Sequence, residues 1–317
     1  MIKINERYNK NIFINNPNFY SDIKIILNKN KNNNNNIKNK NILNPFFSIV
    51  IPIHNQESII NKNILSILDN TSEKPYELIL IIDSCSDNTE QNLLTLFNNN
   101  FIFEKYNLLN KILILKSETP LFETSADNLG FFCSQGEYIL EIQADMEMVD
   151  YGYNMKLLIP FLKNDKIIGI SGRCCHNFQC TNGVGKLGLD ILKKIDKLPN
   201  VDTNSYYIGE TCNRGPLLLN HKKLRELGYL DEVNYFLDNS DHDLFARAFL
   251  QKKWVCGYVP IDFISLLENG TTRKPRNEIN QKYYNIKLQL TKNGENGFLK
   301  KNIHNVLPRN IEKYNLY

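Results

Sequence analysis

The chain has no apolar run near the roughly 18 residues that a membrane-crossing helix needs. Its first residues, MIKINERYNKNIFINN, hold neither the apolar stretch nor the small-residue cleavage site of a secretory leader. A soluble protein without a membrane span is expected, in the cytoplasm, or in a host's cytoplasm if the source is viral. Cysteines number seven, an odd count that includes the adjacent pair Cys174 and Cys175. This excludes a secreted disulfide framework and predicts reduced thiols. Net charge is also small, +4, with the lysines dispersed rather than striped. No polyanion-binding surface follows from it, and nucleic acid is not an expected partner.

What is present suffices for a real core: 317 residues, 42% hydrophobic and 23% charged. Residues 1–27 read as a short appended segment. NKNKNNNNNIKNKN, from Asn28, has almost no apolar content to repay the entropy of ordering, so 28–44 reads as a flexible linker. Regular patterning then begins. FFSIVIPI (46–53), ELILIID (77–83), KILILK (111–116) and YILEIQ (138–143) are short Ile-rich runs of the kind buried strands use. Helix-like stretches lie between them, including DNTEQNLLTLF with its Asp/Asn cap signal and TSADNLGFFCSQ. Alternating strand and helix predicts an α/β domain over 45–270 with a mostly parallel central sheet and helices on both faces. In such sheets ligands bind at the carboxyl ends of the strands. The polar clusters His54–Glu57, Asp83–Asp87 and Gln143–Glu147 fall there. Residues 271–317 read as a C-terminal loop and a partly helical extension.

EIQADMEMVD (141–150) places Gln143, Asp145 and Glu147 two apart. If the strand continues through them they share one face, with Met146 and Met148 turned to the core. Oxygen ligands at a strand end suit a hard cation, Mn²⁺ or Mg²⁺, completed by water and substrate phosphates.

SIVIPIHNQES, ELILIIDSCSDNT and NLGFFCSQGEYILEIQADMEM resemble, in order and spacing, the nucleotide-sugar-binding half (45–150) of family 2 glycosyltransferases, which have the GT-A fold. NRGPLLLNHKKLRELGYLDEVNYFLDNSDHDLFARAFLQKKW resembles the acceptor half of that family (151–270). The resemblance implies an inverting transfer of a sugar from a nucleotide-sugar donor, a UDP-sugar by preference, to a hydroxyl on a glycan, protein or small-molecule acceptor.

It also implies residue roles. Pro52 and His54 fall where the family meets the nucleotide base, with His54 in place of the usual Tyr, and Glu57 falls on an acidic position near base or ribose. Asp83 matches the second Asp of the D-D-G-S motif; Ile82 and Ser84 stand where its first Asp and its Gly would be. Gln143 and Asp145 match the first and last positions of D-x-D, so Asp145 is the expected metal ligand and Gln143 a ribose contact. Glu147 is a candidate second carboxylate on the metal. Asp241, in SDHDL, matches the catalytic Asp that deprotonates the acceptor, with Ser240 replacing the Glu before it, while Asp243 and Arg247 match positions that brace the helix. Arg214 and Gly215 fall in the acceptor-facing segment. Asn128 and Gly130 keep the family's Asn-x-Gly, but the Arg often found before it is Asp127.

A departing nucleoside diphosphate needs its charge neutralised. NGTTRKPR (269–276) offers Arg273 and Lys274 for this, while ISLLENG lacks the His that members of the fold often supply to the metal. Cys174, Cys175, His176 and Cys180 do not have zinc-site spacing and read as buried thiols. Two rivals stand beside the transferase: a relative that binds nucleotide sugars without chemistry, and a sugar nucleotidyltransferase. The second would carry a Gly-rich loop after the first strand, where this chain has PIHNQES with no Gly.

Overall fold

In a computed structural model the chain is described over residues 22–31, 44–98, 101–178, 185–188, 201–235, 239–265, 296–306 and 309–317. The N-terminal half runs β1 (Lys24–Asn30), β2 (Phe47–Ile53), α1 (Ile60–Asn70), β3 (Tyr76–Asp83), α2 (Thr89–Asn98), α3 (Phe101–Lys105), β4 (Leu109–Ser117), α4 (Phe122–Cys133) and β5 (Tyr138–Glu141). It continues with β6 (Met146–Met148), α5 (Tyr153–Lys163), β7 (Ile167–Ser171), β8 (Cys174–His176), β9 (Lys186–Gly188), β10 (Ser205–Gly209), β11 (Thr211–Cys212) and β12 (Leu217–Asn220). The last elements are α6 (His221–Glu226), α7 (Ser240–Lys252), β13 (Val255–Tyr258), β14 (Phe263–Ser265), α8 (Phe298–Asn302) and β15 (Glu312–Asn315).

Among the described residues ten strands form one sheet in the order β1-β4-β3-β2-β5-β12-β7-β13-β10-β15. β1, β12 and β10 run against the other seven. This is the expected α/β sheet, mostly parallel. The parallel centre forms because its strands are apolar on both faces, leaving no solvent side. Leu78 to Ile82 of β3 are all fully buried, each side chain stabilising the fold by about 1.5–3 kcal/mol. Successive residues feed opposite layers. Ile49 and Ile51 meet α1, α2 and α5, whereas Val50, Ile79 and Ile81 meet α4 and α7. α1 answers with an apolar stripe at helical spacing, Ile60, Ile64, Ile67 and Leu68.

The edges are held differently. β1 pairs with β4 from Lys24↔Lys116 to Asn30↔Lys111 although none of its residues is fully buried. It therefore crosses the expected boundary between appended segment and linker, and Asn28–Asn30 are strand. A ladder needs backbone hydrogen bonds rather than apolar side chains, so Asn and Lys can form it. β15 likewise pairs with β10, and α8 sits against α7, where Leu299 N–H donates to Asp243. The region expected as a C-terminal extension thus adds a strand to the main sheet.

One topological detail builds the site. β12 enters the sheet from the opposite direction, so its first residue, Leu217, lies beside the last residues of β5 and β7, Glu141 and Ser171. The segment preceding it, Asn213–Pro216, is thereby brought to the carboxyl ends of the parallel strands.

Candidate active site

The loops after β2 and β3 are tied to each other at the strand ends. The Asn55 side-chain oxygen accepts from Ser86 N–H at 2.8 Å, Gln56 N–H donates to Thr89 Oγ1 at 2.8 Å, and Asn88 N–H donates to Glu57 Oε2 at 2.9 Å. Glu57 N–H in turn donates to Asp87 Oδ2 at 3.0 Å. Glu57, expected near the base or ribose, is thus a clasp between the loops after β2 and β3. Asp87 also accepts from Thr89 N–H, an N-terminal cap on α2. His54 is buried and its Nδ1 lies 2.7 Å from the Asp83 carbonyl oxygen. A carbonyl only accepts, so Nδ1 carries the hydrogen. Pro52 lies in β2, two residues before His54.

Asp83 ends β3, buried, and its carboxylate accepts the N–H groups of Leu121 at 2.6 Å and Phe122 at 3.1 Å. It is therefore tied to the start of α4. That helix is the hub of the site. Its Thr124 Oγ1 donates to Ser240 Oγ, which opens α7. Its Asn128 exchanges hydrogen bonds with Leu230 and reaches Glu232. Gly130 allows the helix to seat on the sheet, since a Cβ there would lie 2.2 Å from Val50 Cγ1. The Asn-x-Gly motif thus holds α4 in place.

Glu123 and Asp127, also on α4, meet Arg214. Arg214 Nη1 lies 2.5 Å from Asp127 Oδ2 and Nη2 lies 3.3 Å from Glu123 Oε1. Expected to face the acceptor, the Arg214 guanidinium instead turns into the protein. Glu123, Asp127, Asp241 and Glu141 surround it and hold its charged form against the cost of burial. Burial, offset only in part by the charge of Arg214, pushes the Asp127 carboxyl up to about 7, with repulsion from Glu123 adding to it. Burial and the neighbouring Asp127 push Glu141 well above the carboxylate range too. Asp127 Oδ1 and Glu141 Oε1 are buried without a hydrogen-bond partner, which is the desolvation that raises both carboxyls. Glu141 Oε2 accepts from Gly215 N–H at 2.8 Å. Gly215 has φ of 65° and packs on Gln143, whose Cγ would lie 2.8 Å from a Cβ there. The Gln143 amide donates to Glu123 at 3.2 Å.

Asp145 is buried and accepts from Ser265 Oγ at 3.2 Å, because β14 pairs antiparallel with β6. Burial raises its carboxyl, opposed by the Ser265 hydrogen bond and by the charge of Arg173. The strand does not run through 143–147 as the spacing argument assumed. β5 stops at Glu141 and a turn closes with Met146 N–H on Gln143 O at 3.0 Å. Glu147 consequently points to α1, where its carboxylate meets Lys62 at 2.6 Å. Met146 and Met148 do enter the core. Among the described residues no three His, Cys, Asp or Glu side chains cluster as a metal site. Asp145 alone still fits Mg²⁺ or Mn²⁺, which bind through one or two carboxylates and otherwise keep water and phosphate oxygens. A cation would also offset its desolvation.

Asp241 lies in the first turn of α7. Its Oδ1 accepts from His242 N–H at 2.8 Å and lies 2.7 Å from His242 Nδ1. Its Oδ2 accepts from Arg214 N–H at 3.3 Å. Burial acts to raise this carboxyl, but the charge and hydrogen bond of His242, together with Arg214, hold it well below the usual range. Asp243 pairs with Arg247, which also donates to the Leu227 and Tyr229 carbonyls, so these two brace the helix. Cys174 and Cys175 are buried. Cys180, Arg273 and Lys274 lie outside the described residues.

Glu123, Asp127, Glu141, Arg173, His176, His242 and Ser265 join the site without having been singled out for it in the sequence. Two carry a signal in hindsight: Asp127 interrupts an apolar helix face and Glu141 an apolar strand.

Among the described residues no helix is long and apolar enough to cross a membrane. The sequence profile of Glycosyl transferase family 2 matches residues 48–206, half of the chain. An uncharacterized glycosyltransferase of Haemophilus influenzae is 33% identical over 166 residues, 52% of this chain and 60% of its own length. The crystal structure of GalNAc-T7 with UDP, GalNAc and Mn²⁺ superposes with a TM-score of 0.51 at 15% identity, over 69% of this chain and 43% of that one. S. aureus TarS 1–349 in complex with UDP-GlcNAc gives a TM-score of 0.47 at 14% identity, over 80% of this chain and 67% of that one. The chain thus spans less than two thirds of the curated relative and under half of GalNAc-T7. The fold is the expected GT-A α/β fold, and with its profile covering half the residues the chain belongs to glycosyl transferase family 2.

Proposed function

We propose that the protein transfers a sugar from a UDP-sugar to a hydroxyl acceptor, with inversion, using Asp241 as base and a divalent cation held by Asp145. The observation that carries this reading is a continuous line of contacts. Asp83 holds the start of α4, Glu123 on that helix touches both Gln143 and Arg214, and the Arg214 amide touches Asp241. The end of β3 and the base are therefore parts of one rigid assembly, as an in-line displacement requires. GalNAc-T7 with UDP and Mn²⁺, and the family itself, support the donor and the cation.

His54, Pro52 and Asp83 form the base and ribose end of the donor site, and Gln143 reaches the ribose. A bound cation supplies charge neutralisation for the diphosphate. Arg173, close enough to Asp145 for their charges to interact, adds a positive charge on the same side, and Arg273 and Lys274 are proposed for the leaving phosphate. Asp241 Oδ1 is engaged by two His242 donors, whereas Oδ2 takes the longer Arg214 N–H contact and keeps a lone pair for the acceptor proton. As the acceptor oxygen bonds to the anomeric carbon, the bond from that carbon to phosphate breaks, and the proton passes to Oδ2. Arg214 and Gly215 act on the acceptor through position. Gly215 seats Gln143, and Arg214 holds Asp241 through its amide.

The test is thermal stabilisation by nucleoside diphosphates with and without Mn²⁺. UDP with Mn²⁺ is expected to raise the melting temperature more than GDP or TDP. No stabilisation by any of them sinks the reading.

A further inference from the structure

His242 and His176 meet through their Nε2 atoms at 3.2 Å, with ring centroids 4.9 Å apart. The other ring nitrogen of each faces an oxygen. His242 Nδ1 lies 2.7 Å from Asp241 Oδ1, and His176 Nδ1 lies 3.1 Å from the Asn177 carbonyl. An ionised carboxylate and a carbonyl only accept, so both Nδ1 atoms carry hydrogens. Two neutral rings would then present bare lone pairs to each other across 3.2 Å, which is repulsive. One additional proton between the Nε2 atoms turns the contact into a charge-assisted hydrogen bond. Asn213 Oδ1, 3.0 Å from His176 Nε2, accepts a share of it.

We propose that His242 and His176 share one proton, and that the single positive charge of the pair holds Asp241 ionised and aimed at the acceptor. This rests on the assignment of Asp241 as base. The topology makes the pair possible. His176 sits in β8 opposite Thr211 of β11, two residues before Asn213, and His242 follows Asp241 on α7. Among the described residues Asp241 on α7 faces His242 directly, and Arg214 lies beyond it against Asp241. Phe178 packs beside His242, and its N–H is held by Glu210. Asp243, on the same helix, is turned away to Arg247 and the Leu299 amide. His242 and His176 are positioning residues: they act on the reaction through Asp241.

At alkaline pH the shared proton is lost, the lone pairs face each other, and the clamp on Asp241 relaxes. Turnover therefore declines on the alkaline side in the range where imidazoles titrate. The experiment has two readouts on the full chain. The first is kcat and KM for UDP-sugar hydrolysis against pH. His242→Phe is expected to lower kcat about ten- to a hundredfold, the value of a hydrogen bond to a charged group, with KM little changed. His176→Gln, whose amide donates to His242 at every pH, is expected to remove the alkaline limb. The second is the ¹⁵N NMR titration of the histidines, which needs no activity. Two imidazoles are expected to titrate as a coupled pair, and replacing either one is expected to uncouple the other. Independent titration in the wild type, or an unchanged kcat in His242→Phe, overturns the proposal. Wild-type protein that shows the coupled pair but turns over no UDP-sugar overturns the transferase reading and leaves the pair standing.

Discussion

Arg214 Nη1 lies 2.5 Å from Asp127 Oδ2, both side chains being buried. This ion pair joins α4 to the segment that leads into β12, whose Arg214 N–H donates to Asp241. Removing one member of a buried pair costs more than the pair is worth, because the partner's charge remains desolvated. Arg214→Met, which leaves Asp127 and Glu123 facing each other, is expected to destabilise the fold by about 3–5 kcal/mol. A urea midpoint measures it, and Asp127→Asn in the same chain is expected to recover part of the loss.

Asp127 also sets a pH dependence. Its folded carboxyl is pushed up to about 7, against about 3.9 unfolded. Between those values the folded protein binds more protons than the unfolded chain, so this group's contribution to stability falls as pH rises through the window and then levels off. Glu141, raised by burial, adds in the same direction. Asp241, held low, acts oppositely and only at more acidic pH. Urea unfolding between pH 4.5 and 7.5 is expected to show a smaller decline in Asp127→Asn than in the wild type.

How much of this was legible follows from the kind of signal each part leaves. β2, β3 and β4 were readable because strands buried on both faces must be near-continuous runs of Ile and Leu. His54, Asp83, Asp145 and Asp241 could be singled out because the family places polar residues at those strand and helix ends, and the structure buries all four. The turn at Gln143–Met146 was not, since no Gly or Pro marks it and the alternation of Gln143, Asp145 and Glu147 imitates a strand. β1 was hidden because pairing with β4 depends on backbone groups that any side chain allows. The Arg214 cage left least trace. Arg214 is distant in sequence from Glu123, Asp127, Glu141 and Asp241, and the reversed entry of β12 brings it among them.

Gly130 offers a test of α4 as the hub. A Cβ at this position would lie 2.2 Å from Val50 Cγ1 and 2.9 Å from Ile81 Cδ1. Gly130→Ala must lift the helix off β2 and β3, with an expected cost of about 1–3 kcal/mol for overpacking. Because Glu123, Thr124 and Asp127 move with the helix, nucleotide affinity is expected to fall along with the thermal midpoint.

Asp145 and Gln143 should separate under titration with UDP. Asp145→Ala is expected to abolish the Mn²⁺ dependence of UDP binding measured by calorimetry. Gln143→Ala keeps that dependence and weakens binding by about tenfold or less, the loss of one neutral hydrogen bond. Equal losses would contradict the division of roles.

The most direct test of the account is the release of UDP from a panel of UDP-sugars by wild type and Asp241→Asn, with UDP binding measured on the same samples. Asn keeps the shape of the side chain but accepts no proton. The account predicts retained UDP binding and a fall in turnover of roughly 10²–10⁴-fold, the usual contribution of a general base. Undiminished UDP release by Asp241→Asn would contradict it.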